Sequence, residues 1–347
     1  MPDRRTTIKD VAAHAGVSLA TASRALSGNR PMSEELRARV LASAQELNYR
    51  VNLLGRALRQ QRHPVVGLSV PDLENPFFAA LAEHLSRTLR GAGFELLVSS
   101  AGGSVEAEAE GVQAFLGRQV HAVVIIACDE SASARTVQDA SSATLTVQLD
   151  RRVDGVDAAY VGCDNRHGMD LVADHLRRQA VADSKVVFVG AGAESSSARE
   201  RLQGFLAHFP GSRTMLGSFS LDWGIRAAEQ LVEEGRVAGS TLVAAADIIA
   251  LGLISGLRGQ GYEVPGDVRV VGFDGIGPAA FAHPPLTTVR QPVEQMCTEI
   301  LQLVSTGGDA SGSTDGPGSS RLFWPTLVGG PSATGGPRPT EARPAPG

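Results

Sequence analysis

Residues Val11–Leu26 read VAAHAGVSLATASRAL, an alanine-rich, nearly uncharged stretch broken once by glycine. Each joint in it has a physical job. Thr7 followed by Asp10 fits a capping box, in which a hydroxyl and a carboxylate satisfy orphan N–H groups at a helix start. That predicts a first helix over 8–15. Gly16 supplies the left-handed backbone of a tight turn, Val17 plugs the angle between helices, and Ser18 is a good N-cap for a second helix. Ile8, Val11, Ala12, Ala15, Ala22, Ala25 and Leu26 face inward, and the small ones let two helices cross closely. Leu19, Ala20, Thr21, Ser23 and Arg24 face outward. A third helix is expected from Ser33, with Glu34 and Glu35 in its first turn, where the macrodipole favours acids, and a packing stripe of Leu36, Val40, Leu41, Ala44 and Leu47. Three short helices of this kind make an all-α helix-turn-helix unit.

The charge distribution gives that unit a purpose. Residues 1–62 carry eleven Lys and Arg against five Asp and Glu, a net +6, which leaves the remainder of the 347-residue chain at −11. A basic amino-terminal module on an acidic body is what phosphate contacts require. With 43% hydrophobic and 20% charged residues the chain is of soluble globular composition, long enough for two or three folding units. No apolar run approaches a membrane span, and MPDRRTTIKD has no signal-peptide apolar region, so a cytoplasmic protein with no membrane partner is expected. Cys128, Cys163 and Cys297 fall in no metal or disulfide spacing and read as reduced thiols.

After His63-Pro64 the pattern changes. Short apolar runs (VVGLSV, FELLVSS, HAVVIIA, ATLTVQLD, DAAYVGCD, KVVFVGA, STLVAAAD, VRVVGFD) alternate with helical periods. Strands apolar on both faces and separated by helices predict parallel sheets covered on both sides, and about 270 residues of this pattern suggest two α/β lobes. Ligands of such sheets sit outside the carboxyl ends of the strands. That rule selects Asp72 to Phe78, Asp129, Asp150 and Arg151, the loop before Arg201, Phe219, Asp247 and Asp274. Acids and arginines bond hydroxyls while rings stack on C–H faces, a mixture suited to sugars or nucleosides. Any one strand-end aspartate can equally do no more than cap the next helix. The run KVVFVGAGAES resembles a dinucleotide-binding turn, but Ser195 replaces the third glycine and GFLAHFPGSR lacks the strand-end acid.

TIKDVAAHAGVSLATASRALSG and ELNYRVNLLGRAL resemble the headpiece and hinge of the LacI/GalR family of bacterial transcriptional repressors, and the likeness continues over roughly residues 6–305. It implies a helix-turn-helix headpiece (1–50), a hinge helix and linker (51–63) and a two-lobed periplasmic-binding-protein-like body with parallel sheets (64–330), while residues 331–347, too rich in Pro and Gly to pack, depart from it as an expected disordered tail. Lobe one would comprise 64–162 and 292–325, lobe two 163–291. By the resemblance Leu19, Ala20 and Arg24 fall at base-reading positions. Arg24 can donate a bidentate pair to guanine, whereas Leu19 and Ala20 can offer only apolar contacts, for instance to a thymine methyl. Thr7, Ser18, Thr21, Ser23 and Asn29 suit phosphate contacts. Asn52, Arg56 and Leu58 lie in the hinge, with Leu58 at the position of the wedge that unstacks a base step. Val51 replaces the usual proline before it, and Gly55 sits inside it.

For the body the same resemblance places Phe77 and Phe78 at the cleft mouth and makes Asp150, with Arg151 beside it, Arg201, Phe219 and Asp274 effector contacts, to which the strand-end rule adds Asp129 and Asp247. Three departures stand out. Ala246 occupies the place of a common asparagine, Gly275 follows Asp274, and GGPS replaces an arginine-serine pair, which puts the closing strand contact in doubt. The expectation is therefore a sequence-specific DNA-binding regulator. It would hold a pseudopalindromic double-stranded operator as a homodimer or larger assembly, and a sugar-like or nucleoside-like effector would control it. No cofactor or metal is expected. A solute-binding protein would share the two lobes but has no use for a basic headpiece. An enzyme would need a Ser-His-Asp order, metal cluster or phosphate loop, none of which is evident.

Overall fold

The structure is a computed structural model that describes residues 8–27, 33–47, 65–192, 194–307 and 320–334. Thr7, Asn29, Asn52, Arg56 and Leu58 lie outside the described residues, as do the hinge as a whole and the side chains of Ser23 and Arg24. The chain divides into two compact units, Met1–His63 and Pro64–Gly347.

In the first unit, α1 (Ile8–His14) and α2 (Leu19–Ser27) flank a turn in which Gly16 has φ +63°, the left-handed backbone that glycine takes without steric cost. The Ser18 hydroxyl accepts the Thr21 N–H at 3.1 Å, capping α2. Helix α3 (Glu34–Glu46) is capped by Ser33 and closes the unit over Val11, Ala12, Ala15, Ala22, Ala25, Val40 and Ala44. One expected core position is corrected: Leu41 is 43% exposed, and Ser43 is buried instead. Its hydroxyl donates to the Arg39 carbonyl at 2.9 Å, which satisfies the buried oxygen within its own helix.

The second unit contains two sheets that share one topology. The first runs β11-β5-β4-β3-β1-β2 from strands β1 (Val65–Val70), β2 (Glu95–Ser100), β3 (Ala122–Ile125), β4 (Leu145–Leu149), β5 (Ala159–Cys163) and β11 (Ser320–Phe323). All of its pairings are parallel. The second runs β12-β10-β9-β8-β6-β7 from β6 (Val186–Ala191), β7 (Arg213–Gly217), β8 (Thr241–Ala244), β9 (Arg269–Asp274), β10 (Thr287–Arg290) and β12 (Thr326–Val328). Only β12 is antiparallel to its neighbour. In each sheet the order reverses between the second and third strands from one edge, between β1 and β3 and between β6 and β8, and such a reversal opens a crevice at the strands' carboxyl ends.

Helices α4 (Pro76–Gly91), α5 (Val105–Gly117), α6 (Ala134–Ala143) and α12 (Val293–Thr306) belong to lobe one. Helices α7 (Asn165–Arg178), α8 (Ser196–His208), α9 (Leu221–Glu233), α10 (Asp247–Gly259) and α11 (Gly277–Phe281) belong to lobe two. The closest helix pair is α9 with α10. A Cβ at Gly224 would overlap the Ile249 carbonyl and one at Gly252 the Leu221 carbonyl, so the two backbones meet only because both residues lack side chains. The chain crosses between lobes after β5, after β10 and between β11 and β12. The His167 and Trp324 rings, 5.0 Å apart, brace the first crossing against the third.

Two boundaries move from their expected places. Cys163 completes β5 of lobe one, and β12 extends lobe two beyond 325. The tail is corrected as well. Residues 331–334 pack, with Ser332 and Ala333 fully buried, and the Ser332 hydroxyl donates to the Val270 carbonyl (2.6 Å) while accepting the Thr287 N–H (2.8 Å). A serine reaches two strands where the arginine-serine pair was missed. Ser332→Ala leaves a buried N–H and a buried carbonyl unpaired, so it is expected to cost about 1–3 kcal/mol in urea unfolding. Unaltered stability would mean that this closing contact contributes nothing.

Candidate functional site

The crevice between the lobes is built around Arg201, on the second turn of α8 and 2% exposed. Its Nε donates to the Asn165 carboxamide oxygen (2.9 Å), and its Nη1 donates to the Ala245 carbonyl (2.7 Å) and to Asp274 Oδ1 (3.0 Å). The guanidinium carbon lies 3.8 Å from the centre of the Phe273 ring. Three loops thus fix one cation. Asp274 also accepts from Gln291 Nε2 at 2.9 Å. Burial pushes its carboxyl up to about 6, against the pull of Arg201.

Asp150 and Asp274 both have positive φ, +61° and +115°. Non-glycine residues hold such backbone only where surrounding contacts enforce it, at a cost of about 1–3 kcal/mol, and this strain marks both acids as candidate functional positions. Asp150 is 3% exposed, and burial raises its pKa despite nearby Arg201 and Arg151. Its Oδ1 has no hydrogen-bond partner, nor do Gln291 Oε1 and Arg151 Nε. Arg151 donates from Nη1 to the Ala127 carbonyl at 3.2 Å, and its guanidinium sits 5.3 Å from the centroids of both Phe78 and Phe219. One ring belongs to each lobe, so Arg151 fills the slot between them. The space bounded by Asn75, Phe78, Asp150, Ser197, Phe219 and Asp274 is about 10 Å³, roughly one water. Phe77 and Asp274 also border an adjoining groove of about 590 Å³ that passes His84, Arg290 and Trp324.

The structure brings Phe77, Phe78, Asp150, Arg151, Arg201, Phe219 and Asp274, all named from the sequence, to one slot. It does not bring Asp129 or Asp247 to the cavity. Asp129 Oδ1 accepts the Ser131 and Ala132 N–H groups at 2.7 Å each, capping the turn after β3. Asp247 is fully buried; it accepts the Thr288 hydroxyl at 2.6 Å and the Ile276 N–H at 2.9 Å, which holds the loop carrying Asp274 in place. Asn75 and Ser197 also line the cavity and fall within the selected Asp72–Phe78 stretch and the loop before Arg201, whereas Gln291, bonded to Asp274, was missed. The strand-end rule, applied to β10 as well, would have selected Gln291. In the headpiece, Leu19 is 39% exposed and Ala20 is exposed, while Ser18 and Thr21 bond each other at 2.8 Å. Among the described residues no group of three or more His, Cys, Asp or Glu has metal-holding geometry, and no helix is long and apolar enough to cross a membrane.

Comparison with known proteins agrees with this architecture. Residues 7–52 match the model for bacterial regulatory proteins of the lacI family, and residues 173–328 match that for a periplasmic binding protein-like domain. The transcriptional regulator GalR of Salmonella typhimurium (strain SL1344) is 30% identical over 336 residues, 93% of this chain and 94% of that protein. The ribose operon repressor of Bacillus subtilis is 32% identical over 310 residues, 86% and 90% of the two chains. The lac repressor dimer bound to operator and the anti-inducer ONPF superposes with a TM-score of 0.80 at 24% identity, over 96% of this chain and 100% of that one. A helix-turn-helix unit joined to a two-lobed binding body defines a transcriptional regulator rather than an enzyme. The chain belongs to the lacI family of bacterial regulatory proteins.

Asp247 offers a check on the loop geometry. Burial and the neighbouring Asp274 push its carboxyl up to about 8 from 3.8. The folded state then binds a proton that the unfolded state has released, so the carboxyl's contribution to stability is whole below pH 4 and is lost as pH rises towards 8. Relative to Asp247→Asn, which cannot ionise, the wild type is expected to lose about 1 kcal/mol per pH unit between pH 6 and 8 in chemical unfolding. Parallel pH profiles would show that this carboxylate is ionised in the fold.

Proposed function

We propose that this regulator represses transcription from a pseudopalindromic operator that it holds as a dimer in the cytoplasm, and that a neutral polyhydroxyl effector, a sugar or nucleoside, enters the slot between its lobes. The unsatisfied atoms carry this reading. Asp150 Oδ1 and Gln291 Oε1 need donors and Arg151 Nε needs an acceptor. A hydroxyl group is both, and buried polar groups left without partners in a native fold call for one. The charges lining the slot balance, two carboxylates against two guanidiniums, which favours a neutral ligand over an anion. The Phe78 and Phe219 rings would stack on the ligand's C–H faces once Arg151 withdraws.

The dimer is supported by what the body leaves uncovered. Edge strands β2 and β7 expose Leu97, Val98 and Leu216, and Phe281 on α11 is 88% exposed. Unpaired apolar edges of this kind are ordinarily covered. Two headpieces would then read two half-sites, with Leu19, Ala20 and Arg24 at base edges, Thr7, Ser18, Thr21, Ser23 and Asn29 at phosphates, and Asn52, Arg56 and Leu58 at the operator centre. The relatives' names fit this reading, since they include a ribose operon repressor.

In a thermal-shift screen of sugars and nucleosides, an effector at about 100 times its Kd stabilises the protein by about 2.7 kcal/mol, a shift of several degrees. Asp150→Asn and Arg201→Ala are expected to abolish that shift. Retention in both would move the site elsewhere. On DNA, selection from random sequence is expected to return a palindrome, and Arg24→Ala to cost about 1–3 kcal/mol and relax one position per half-site. A sequence-independent response would sink the repressor reading.

A further inference from the structure

Outside the slot, the two lobes are tied to each other by the chain itself. Arg199 of lobe two donates to Glu130 of lobe one through Nε (3.1 and 3.2 Å) and Nη2 (3.0 Å), a forked charge-assisted contact. Arg152 Nη2 of lobe one lies 3.6 Å from Glu200 of lobe two, and Asp154 stands 4.0 Å from Arg199. The Asn165 amide donates to the second Glu200 oxygen at 2.9 Å, which orients that carboxylate. Two backbone amides cross the gap as well. Glu130 N–H donates to the Glu194 carbonyl at 2.7 Å, and Arg152 N–H donates to the Ser196 hydroxyl at 2.9 Å.

None of Glu130, Arg199 and Glu200 lines the slot. The Glu130 and Arg199 side chains are only 25% and 29% exposed, so solvent screens the pair less than an ordinary surface ion pair. Arg199 and Arg201 are two residues apart on α8, one bonded across to the other lobe and one fixing the slot, so a single helix carries both.

We propose that these contacts form a clasp that keeps the lobes shut before any effector arrives, with Arg151 occupying the slot in the effector's place. Glu130 and Arg199 are then positioning residues. They touch no ligand, and the strength of their contact sets how often the crevice opens for exchange. Effector binding replaces an internal guanidinium inside lobes that are already closed; it does not draw open lobes together. This reading goes beyond the proposed function and needs no knowledge of the ligand.

Amide hydrogen exchange on the full-length, effector-free protein tests it, because the Glu130 and Arg152 amides are bonded across the gap. In the wild type both are expected to be protected by at least about 100-fold over free peptide. Arg199→Ala should lower that protection about tenfold or more. The Ile126 and Ala245 amides, bonded within their own lobes to Ser69 and Val189, should keep theirs. Should Arg199→Ala also expose those two amides, it has unfolded a lobe, and Glu130→Gln, which removes the charge and keeps the shape, takes its place. Free exchange of Glu130 and Arg152 in the wild type would overturn the proposal, and so would protection left unchanged by breaking the pair.

Discussion

The buried pair of Arg201 with Asp274 is the constraint on which the binding body depends. Taking both charges out of water costs several kcal/mol per ion, and the attraction offsets this only if every remaining hydrogen-bonding site is met. Here partners come from three places: Asn165 at the first crossing, the Ala245 carbonyl after β8, and Gln291 after β10, which shares the Asp274 oxygen. Each of these must be in position for the pair to be tolerated. The pair therefore specifies one arrangement of the loops around the crevice more than it adds stability.

Much of lobe two can be understood as support for that arrangement. Asp247 anchors the loop after Asp274 through Ile276, and Thr288 on β10 holds Asp247. Gly272 lets Asp247 approach β9, since a Cβ there would overlap its carboxylate. Lobe one supplies the opposite wall through Asp150, whose strained backbone and unpaired oxygen, with the unpaired Arg151 Nε and Gln291 Oε1, leave an unmet demand inside the site. A ligand that meets this demand changes the balance of contacts between lobes. In the proposed function such a change would be what DNA binding responds to, on the scale of about 1–3 kcal/mol usual for coupling between sites.

How far this was legible in the sequence follows from how local each cause is. Gly16 and Ser18 announce the headpiece turn because a positive φ and an N-cap are demands made by adjacent residues. The same locality misplaced Leu41: in a short helix the period admits either Leu41 or Ser43 on the buried stripe, and hydrophobicity chose the wrong one. Strand-end aspartates were found by topology, yet Asp150 and Asp274 could not be told from Asp129 and Asp247. Whether a carboxylate faces the crevice or supports a loop is decided by partners such as Thr288, 41 residues from Asp247. The burial of Ser332 has the same non-local origin, since Val270 is 62 residues away and composition alone made that segment a tail.

The central claim is that the crevice is satisfied internally except for atoms that a hydroxylated ligand would complete. The most direct measurement is a crystal structure of the full chain with the strongest stabiliser from a sugar and nucleoside screen. The account expects hydroxyl groups within hydrogen-bonding distance of Asp150 Oδ1 and Gln291 Oε1, and Arg151 displaced from between Phe78 and Phe219. A ligand bound elsewhere, with Arg151 unmoved and those oxygens still unpaired, would contradict it.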